Sequence, residues 1–304
     1  MSTEFLRGLA VLALGFWLSM SAAAQAPTSL KSFPTAEAAA DALTDAIRRD
    51  DDNAVAAILG SGWHDFLPGS DRDDDEVRAK FLKAWDESHK IVPEGDDKAL
   101  VAVGTTGWIS PVPIVRQGGE WRYDAQAGEK EIQARLIGRN ELFVIQTLLA
   151  IVDAQRDYVS LDPTKAGVPV YARRLLSSPG HKDGLYWESK PGEPESPLGP
   201  LVAKAQPGEL NADDYHGYRF RLLYRQGPDA PGGAYDYLVK GRMMGGFAVL
   251  AWPVRYDETG VMTFMVSQSG DVYEQDLGPS TAERAAGIAS FNPDKGWEKA
   301  DMTP

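Results

Sequence analysis

Leu142 to Val152, "LFVIQTLLAIV", is broken by polar side chains only at Gln146 and Thr147. The run lies inside a longer helical pattern, from Glu129 to about Tyr158, and is apolar nearly all the way round. A helix of that kind is buried on every side. The segments before and after it are each expected to lean on that apolar surface to cover one face of a sheet.

Upstream, "FPTAEAAADALTDAIRRDDDNAVAAILG" (Phe33–Gly60) sets Ala39, Leu43, Ala46 and Ile47 at helical spacing behind the cap-like Thr35. A second, short helix is predicted from Asn53 to Leu59, before Gly60. "SDRDDDEVRAKFLKAWDESHK" (Ser70–Lys90) predicts a third, with Val77, Phe81, Leu82 and Trp85 on one face and carboxylates gathered ahead of them. Strand character follows in "ALVAVGTTGW" and "SPVPIVRQGGEWRYD", where Gly118-Gly119 marks a two-residue hairpin turn.

Downstream, "GVPVYARRLL" leads into the turn-rich "PGHKDGLYWESKPGEPESPLGP" (Pro179–Pro200) and then a short helix around "PLVAKAQ". Strands are predicted in "YHGYRFRLLYR", "YDYLVKG" and "GGFAVLAWPVRY". "VMTFMVSQSG" and "DVYEQDL" form a hairpin around Ser269-Gly270, and an Ala-rich helix from Thr281 to Ser290 ends the fold. The fold class is therefore α+β: N-terminal helices with a small antiparallel sheet, a long buried helix and a C-terminal antiparallel meander. The expected division is a leader over 1–26, an N-terminal unit over 27–128 and a second unit over 129–304.

The leader is read from Arg7, the apolar stretch Gly8 to Met20, and the small-residue run "SAAAQA", which offers A-x-A cleavage after Ala24 or Ala26. Only 13 residues separate Gly8 from Met20 inclusive, short of the roughly 20 that span a bilayer. The mature chain is expected to be periplasmic or secreted and not membrane-spanning. It has no cysteine, which removes disulfides, thiolate catalysis and cysteine metal sites together. With 31 Lys and Arg against 44 Asp and Glu, the net charge is −13. Such a chain repels phosphate backbones, so nucleic acid is not an expected partner.

The segments "LIGRNEL", "VDAQRDY", "SSPGHKDGLYW", "ESPLGP", "YHGYRF", "APGGAYDY", "GRMMGGFAVLAWP", "GVMTFMV" and "VYEQDLGPST" follow one another in an order similar to the bacterial family catalogued as domain of unknown function 2950. The similarity runs from about Phe33 to Trp297. It implies an exported protein without established activity, and so gives location and architecture but no mechanism. The family often has paired arginines before "IGRNE", where this chain has Arg135-Leu136, and a basic residue after "SPG", where it has His181. A second resemblance joins the "AQRDY" helix and the strands after it to the helix-then-meander order of type IV pilin and pseudopilin heads. The N-terminal unit resembles cystatin-like and nuclear-transport-factor-like folds, by analogy alone.

Candidate chemistry concentrates in few places. His181 and Asp183 are the candidates for a base and its orienting carboxylate, although no G-x-S-x-G elbow accompanies them and Ser196 sits in "ESPLG". Arg135 and Arg139, four apart on one helix face, can converge on an anion or pair with Glu131, Glu141 or Asp153. Asp183, Tyr186, Trp187 and Arg242 complete the ligand-binding candidates. His64, His89 and His216 are scattered, and Asp71, Asp73 and Asp75 lack the Gly and Glu of a calcium loop, so a helix start is the better reading of the acidic run. No metal site and no cofactor are expected. The reading that results is an exported envelope module, not an enzyme, that binds a partner protein or small ligand. A hydrolase of an envelope polymer using His181 and Asp183 is the alternative, and a pilin-like assembly component the third.

Overall fold

Thr35 opens the first helix: its Oγ1 accepts a hydrogen bond from Ala38 N–H at 3.1 Å, satisfying one of the amides that a helix start leaves bare. The computed structural model describes residues 30–63, 71–190, 192–199 and 215–301. The expected leader and the helix around "PLVAKAQ" lie outside them. The chain divides into two units, one ending at Ala125 and the other beginning at Gln126.

In the first unit, α1 (Ala36–Arg48) buries Ala36, Ala39, Ala40, Thr44 and Ala46, the narrow side chains of its apolar face. α2 (Asp52–Leu59) is capped by Asp51, whose Oδ1 accepts from Ala54 N–H. α3 (Asp71–Glu87) starts inside the acidic run, where the exposed N–H groups and positive dipole end of a helix favour carboxylates. A sheet follows from β1 (His89–Pro93), β2 (Lys98–Val103), β3 (Trp108–Ile109), β4 (Ile114–Gln117) and β5 (Glu120–Tyr123). Its order is β1-β2-β4-β5, with β3 paired to β2. Gly118 and Gly119 take φ of 62° and 89°, the left-handed geometry that a tight two-residue hairpin turn requires. His89 stacks on Trp85 with centroids 4.0 Å apart and its Nδ1 lies 2.9 Å from the Trp85 carbonyl, so this histidine is part of the packing.

The second unit begins with α4 (Ala125–Leu161), which passes the expected limits at both ends. Its burial is one-sided. Val144, Leu148, Ile151, Val152, Gln155 and Tyr158 face the core, but Leu142 and Phe143 are 43% and 39% exposed. Burial on every side thus gives way to a stripe, and the exposed Phe143 ring stacks with His216 at 4.5 Å.

After β6 (Arg174–Leu176) and β7 (Gly184–Tyr186), which pair in parallel, come β8 (Tyr218–Leu223), β9 (Arg225–Gln226), β10 (Tyr235–Asp236), β11 (Leu238–Val239), β12 (Arg242–Met243), β13 (Ala248–Pro253), β14 (Met262–Ser267), β15 (Val272–Asp276), α5 (Thr281–Gly287) and β16 (Glu298–Lys299). The main sheet is antiparallel with order β16-β15-β14-β13-β8. β13 is an interior strand, flanked by β14 and β8, and Ala248 to Ala251 are fully buried, as a near-continuous apolar strand demands.

"YDYLVKG" departs from the expectation of a single strand. Tyr237 is drawn inward, its N–H to the Tyr224 carbonyl and its hydroxyl to Gln226, which cuts the segment into β10 and β11. A Cβ on Gly245 would sit 3.1 Å from the Asp236 carbonyl oxygen, so glycine is what lets the two backbones close up before β13.

The "GRNE" segment of α4 ties the helix to the β13–β14 turn. Asn140 Nδ2 donates to the Thr259 carbonyl, and Glu141 Oε1 accepts from both Val261 and Met262 N–H at 2.9 Å. Glu274 lies near this carboxylate. Burial first, and then the like charges of Glu141, Glu298 and Asp301, push its carboxyl above the usual range. An acid raised on folding weakens the fold once it is ionised, so Glu274→Gln is expected to raise the melting temperature at pH 7 and to lose that advantage below about pH 4, where the glutamate is protonated both folded and unfolded. A thermal melt at the two pH values checks this.

Candidate functional site

Gln155 is fully buried and pairs with both backbone groups of Ala172: Nε2 donates to the carbonyl at 3.0 Å and Oε1 accepts the N–H at 2.8 Å. One turn on, the Tyr158 hydroxyl donates to the Lys182 carbonyl at 2.6 Å. Together these fasten the segment from Asp162 to Trp187 onto the buried stripe of α4. Burial, then the charges of Asp183 and Asp162, push the Tyr158 phenol up to about 12, so it acts as a hydrogen-bond donor at neutral pH.

The loop "SSPGHKDGLYW" (Ser177–Trp187) closes on itself. Asp183 Oδ1 accepts Ser178 N–H at 2.7 Å, Oδ2 accepts the Ser178 hydroxyl at 2.9 Å, and Ser177 Oγ accepts Gly184 N–H at 3.0 Å. Arg174 Nε approaches Asp183 at 3.4 Å. Partial desolvation pushes the Asp183 carboxyl up, but the Ser178 hydrogen bonds and the Arg174 charge outweigh it and leave the group below the usual aspartate range. A Cβ on Gly184 would lie 2.6 Å from the Leu176 and Ser177 backbone, so the β6–β7 pair closes only around glycine.

This clasp separates two hollows. The larger, about 690 Å3, is lined by Ser178, His181, Lys182, Tyr186, Trp187, Glu188, Lys190 and Glu193 among others. Trp187 is only 8% exposed, meets Tyr158 edge to face at 6.4 Å and carries Lys182 Nζ over its ring at 5.4 Å. Its indole Nε1 is buried and has no hydrogen-bond partner among the described residues. The smaller hollow, about 300 Å3, is lined by Tyr158, Lys165, Tyr171, Arg173, Asp183 and Arg242 with their neighbours.

The structure therefore brings His181, Tyr186 and Trp187 to one hollow, and Asp183 and Arg242 to the other. His181 and Asp183 do not meet: the carboxylate is occupied by Ser178 and Arg174, and the imidazole is exposed. Arg135 and Arg139 reach neither hollow. Arg135 Nε pairs with Glu131 at 2.8 Å and Arg139 is exposed on α4. Lys165, Arg173, Lys182 and Glu193 were not singled out by sequence. The only local hint for Lys165 was its place between a turn-forming Asp-Pro and a glycine. Among the described residues no three His, Asp or Glu side chains gather to hold a metal ion, and no helix is long and apolar enough to cross a membrane.

No curated protein and no solved structure matches the chain. Residues 30–300 match the family described as protein of unknown function DUF2950, and with nearly the whole chain covered the protein belongs to that family.

Proposed function

We propose that the protein is an exported, non-catalytic binding module of the bacterial envelope, and that its ligand is a peptide-like, zwitterionic segment seated in the larger hollow beside Trp187. One observation carries the reading: a buried indole N–H without a partner among the described residues, on a tryptophan that lines a hollow of ligand-binding size. A buried unpaired donor is costly to the fold, and a ligand carbonyl is the kind of group that offsets it. Lys182 and Lys190 with Glu188 and Glu193 offer both signs of charge around the rim, which suits termini or side chains of both signs. The leader-like N-terminus supports export, and the separation of His181 from Asp183 weighs against the hydrolase. The pilin-like reading rests on the helix-then-meander order alone.

Isothermal titration with soluble, peptide-bearing cell-wall fragments tests this. Saturable binding is expected, and Trp187→Phe, which deletes the N–H and keeps an aromatic ring, is expected to weaken it about tenfold. Equal binding by the variant would overturn the reading. Fragment cleavage that disappears in both His181→Ala and Asp183→Asn would install the hydrolase in its place.

A further inference from the structure

The smaller hollow concentrates positive charge in a strongly negative protein. Lys165, Arg173 and Arg242 line it, and among the described residues none of the three is ion-paired, whereas twelve ion pairs engage other cations. Asp183 is the one carboxylate among the described residues of the lining, and its oxygens are engaged by Ser178 and Arg174. Three cationic side chains without an ion-pair partner among the described residues thus stand around about 300 Å3, and cations outnumber carboxylates in the lining.

Two of them are held in place by the fold. Arg173 Nη1 donates to the Gly241 carbonyl at 3.2 Å, beside Arg242, and the Tyr171–Met243 bridge fixes the two segments against each other. Lys165 sits at φ +53°, a left-handed conformation that a lysine adopts only at a cost. Asp162 enforces it: its carboxylate accepts Ala166 and Gly167 N–H at 2.7 and 3.0 Å, and its carbonyl accepts Lys165 N–H at 2.9 Å. Lys165 is exposed, so packing does not explain why a lysine occupies a position suited to glycine.

We propose that this cleft is a second binding site, selective for a phosphate group. A dianion matches three cations that lack ion-pair partners better than a single carboxylate does, and arginine presents parallel N–H groups to phosphate oxygens. The site stands apart from the peptide-like ligand proposed for the larger hollow, and it holds or fails separately.

Phosphorus NMR and calorimetric titration of the purified protein with inorganic phosphate, at ionic strength held constant with chloride, test it. Saturable binding is expected. Arg173→Gln and Arg242→Gln should each weaken it about tenfold, as loss of one charge-assisted contact does. Trp187→Phe should leave it unchanged. Lys165→Gly gives a readout that a structural role would not: weaker phosphate binding together with an unchanged or higher melting temperature, because glycine relieves the strain. Co-sedimentation with vesicles containing phosphatidic acid, a phosphomonoester lipid, against phosphatidylcholine vesicles separates the sources. Phosphatidic-acid-specific binding that depends on Arg173 and Arg242 assigns the phosphate to a lipid headgroup, and binding of inorganic phosphate alone assigns it to a soluble ligand. Acetate competing as well as phosphate, binding indifferent to both arginine variants, binding in neither arm, or a lowered melting temperature in Lys165→Gly would overturn the proposal.

Discussion

Trp187→Ala is expected to lower the unfolding free energy by about 3–5 kcal/mol, the usual cost of truncating a buried large aromatic. The side chain is 8% exposed, belongs to the core of the second unit with Leu185, Leu198 and Tyr158, and closes the end of the clasp against α4. Removing the ring leaves a cavity that the turn-bound loop, tied at Ser178 and Asp183, is poorly placed to collapse into. Trp187→Phe separates volume from chemistry. It deletes a buried N–H that has no partner among the described residues, which offsets part of the lost packing, so about 1 kcal/mol or less should be lost. Denaturant unfolding of both variants measures the difference. An alanine variant that unfolds like the wild type yet no longer binds ligand would make the loop a recognition surface and remove its role in holding the fold.

The parts of this structure legible in the sequence are those with local causes. Thr35 caps its helix through an amide three residues away, and Gly118-Gly119 sets its turn with its own backbone angles. The sidedness of α4 had no such marker. "LFVIQTLLAIV" is apolar on every face, and only the packing of β13 and β14 into the same core selects Val144, Leu148 and Ile151 over Leu142 and Phe143. "YDYLVKG" reads as a strand by composition, but Tyr224 and Gln226, a dozen residues back, pull Tyr237 out of line. The candidate site divides the same way. Aromatics beside turn residues pointed to the clasp, whereas the parting of His181 from Asp183 depends on Ser178 and on Arg174 across the β6–β7 pair. Adjacency in sequence says little about which side of a tight turn a side chain takes.

Gln155→Leu is the second large effect, expected to cost about 3 kcal/mol although leucine is similar in volume, more apolar and as good a helix former. The reason lies in Ala172. Its N–H and carbonyl are both buried and both paired to the Gln155 amide, so leucine strands a donor and an acceptor together. Each stranded group costs about 1–3 kcal/mol, and the added apolar burial returns only part of it. Gln155→Glu discriminates further. A carboxylate can still accept from the Ala172 N–H but, ionised, cannot donate to its carbonyl, so the variant should be destabilised at pH 7 and recover as the pH falls and the acid gains a proton. Because Ala172 leads directly into Arg173 and the clasp, hydrogen exchange should report the loss first between Tyr171 and Trp187, ahead of the β13–β14 core. Uniform deprotection of the whole second unit, or a Gln155→Leu variant as stable as the wild type, would show that the segment is held to α4 by packing alone.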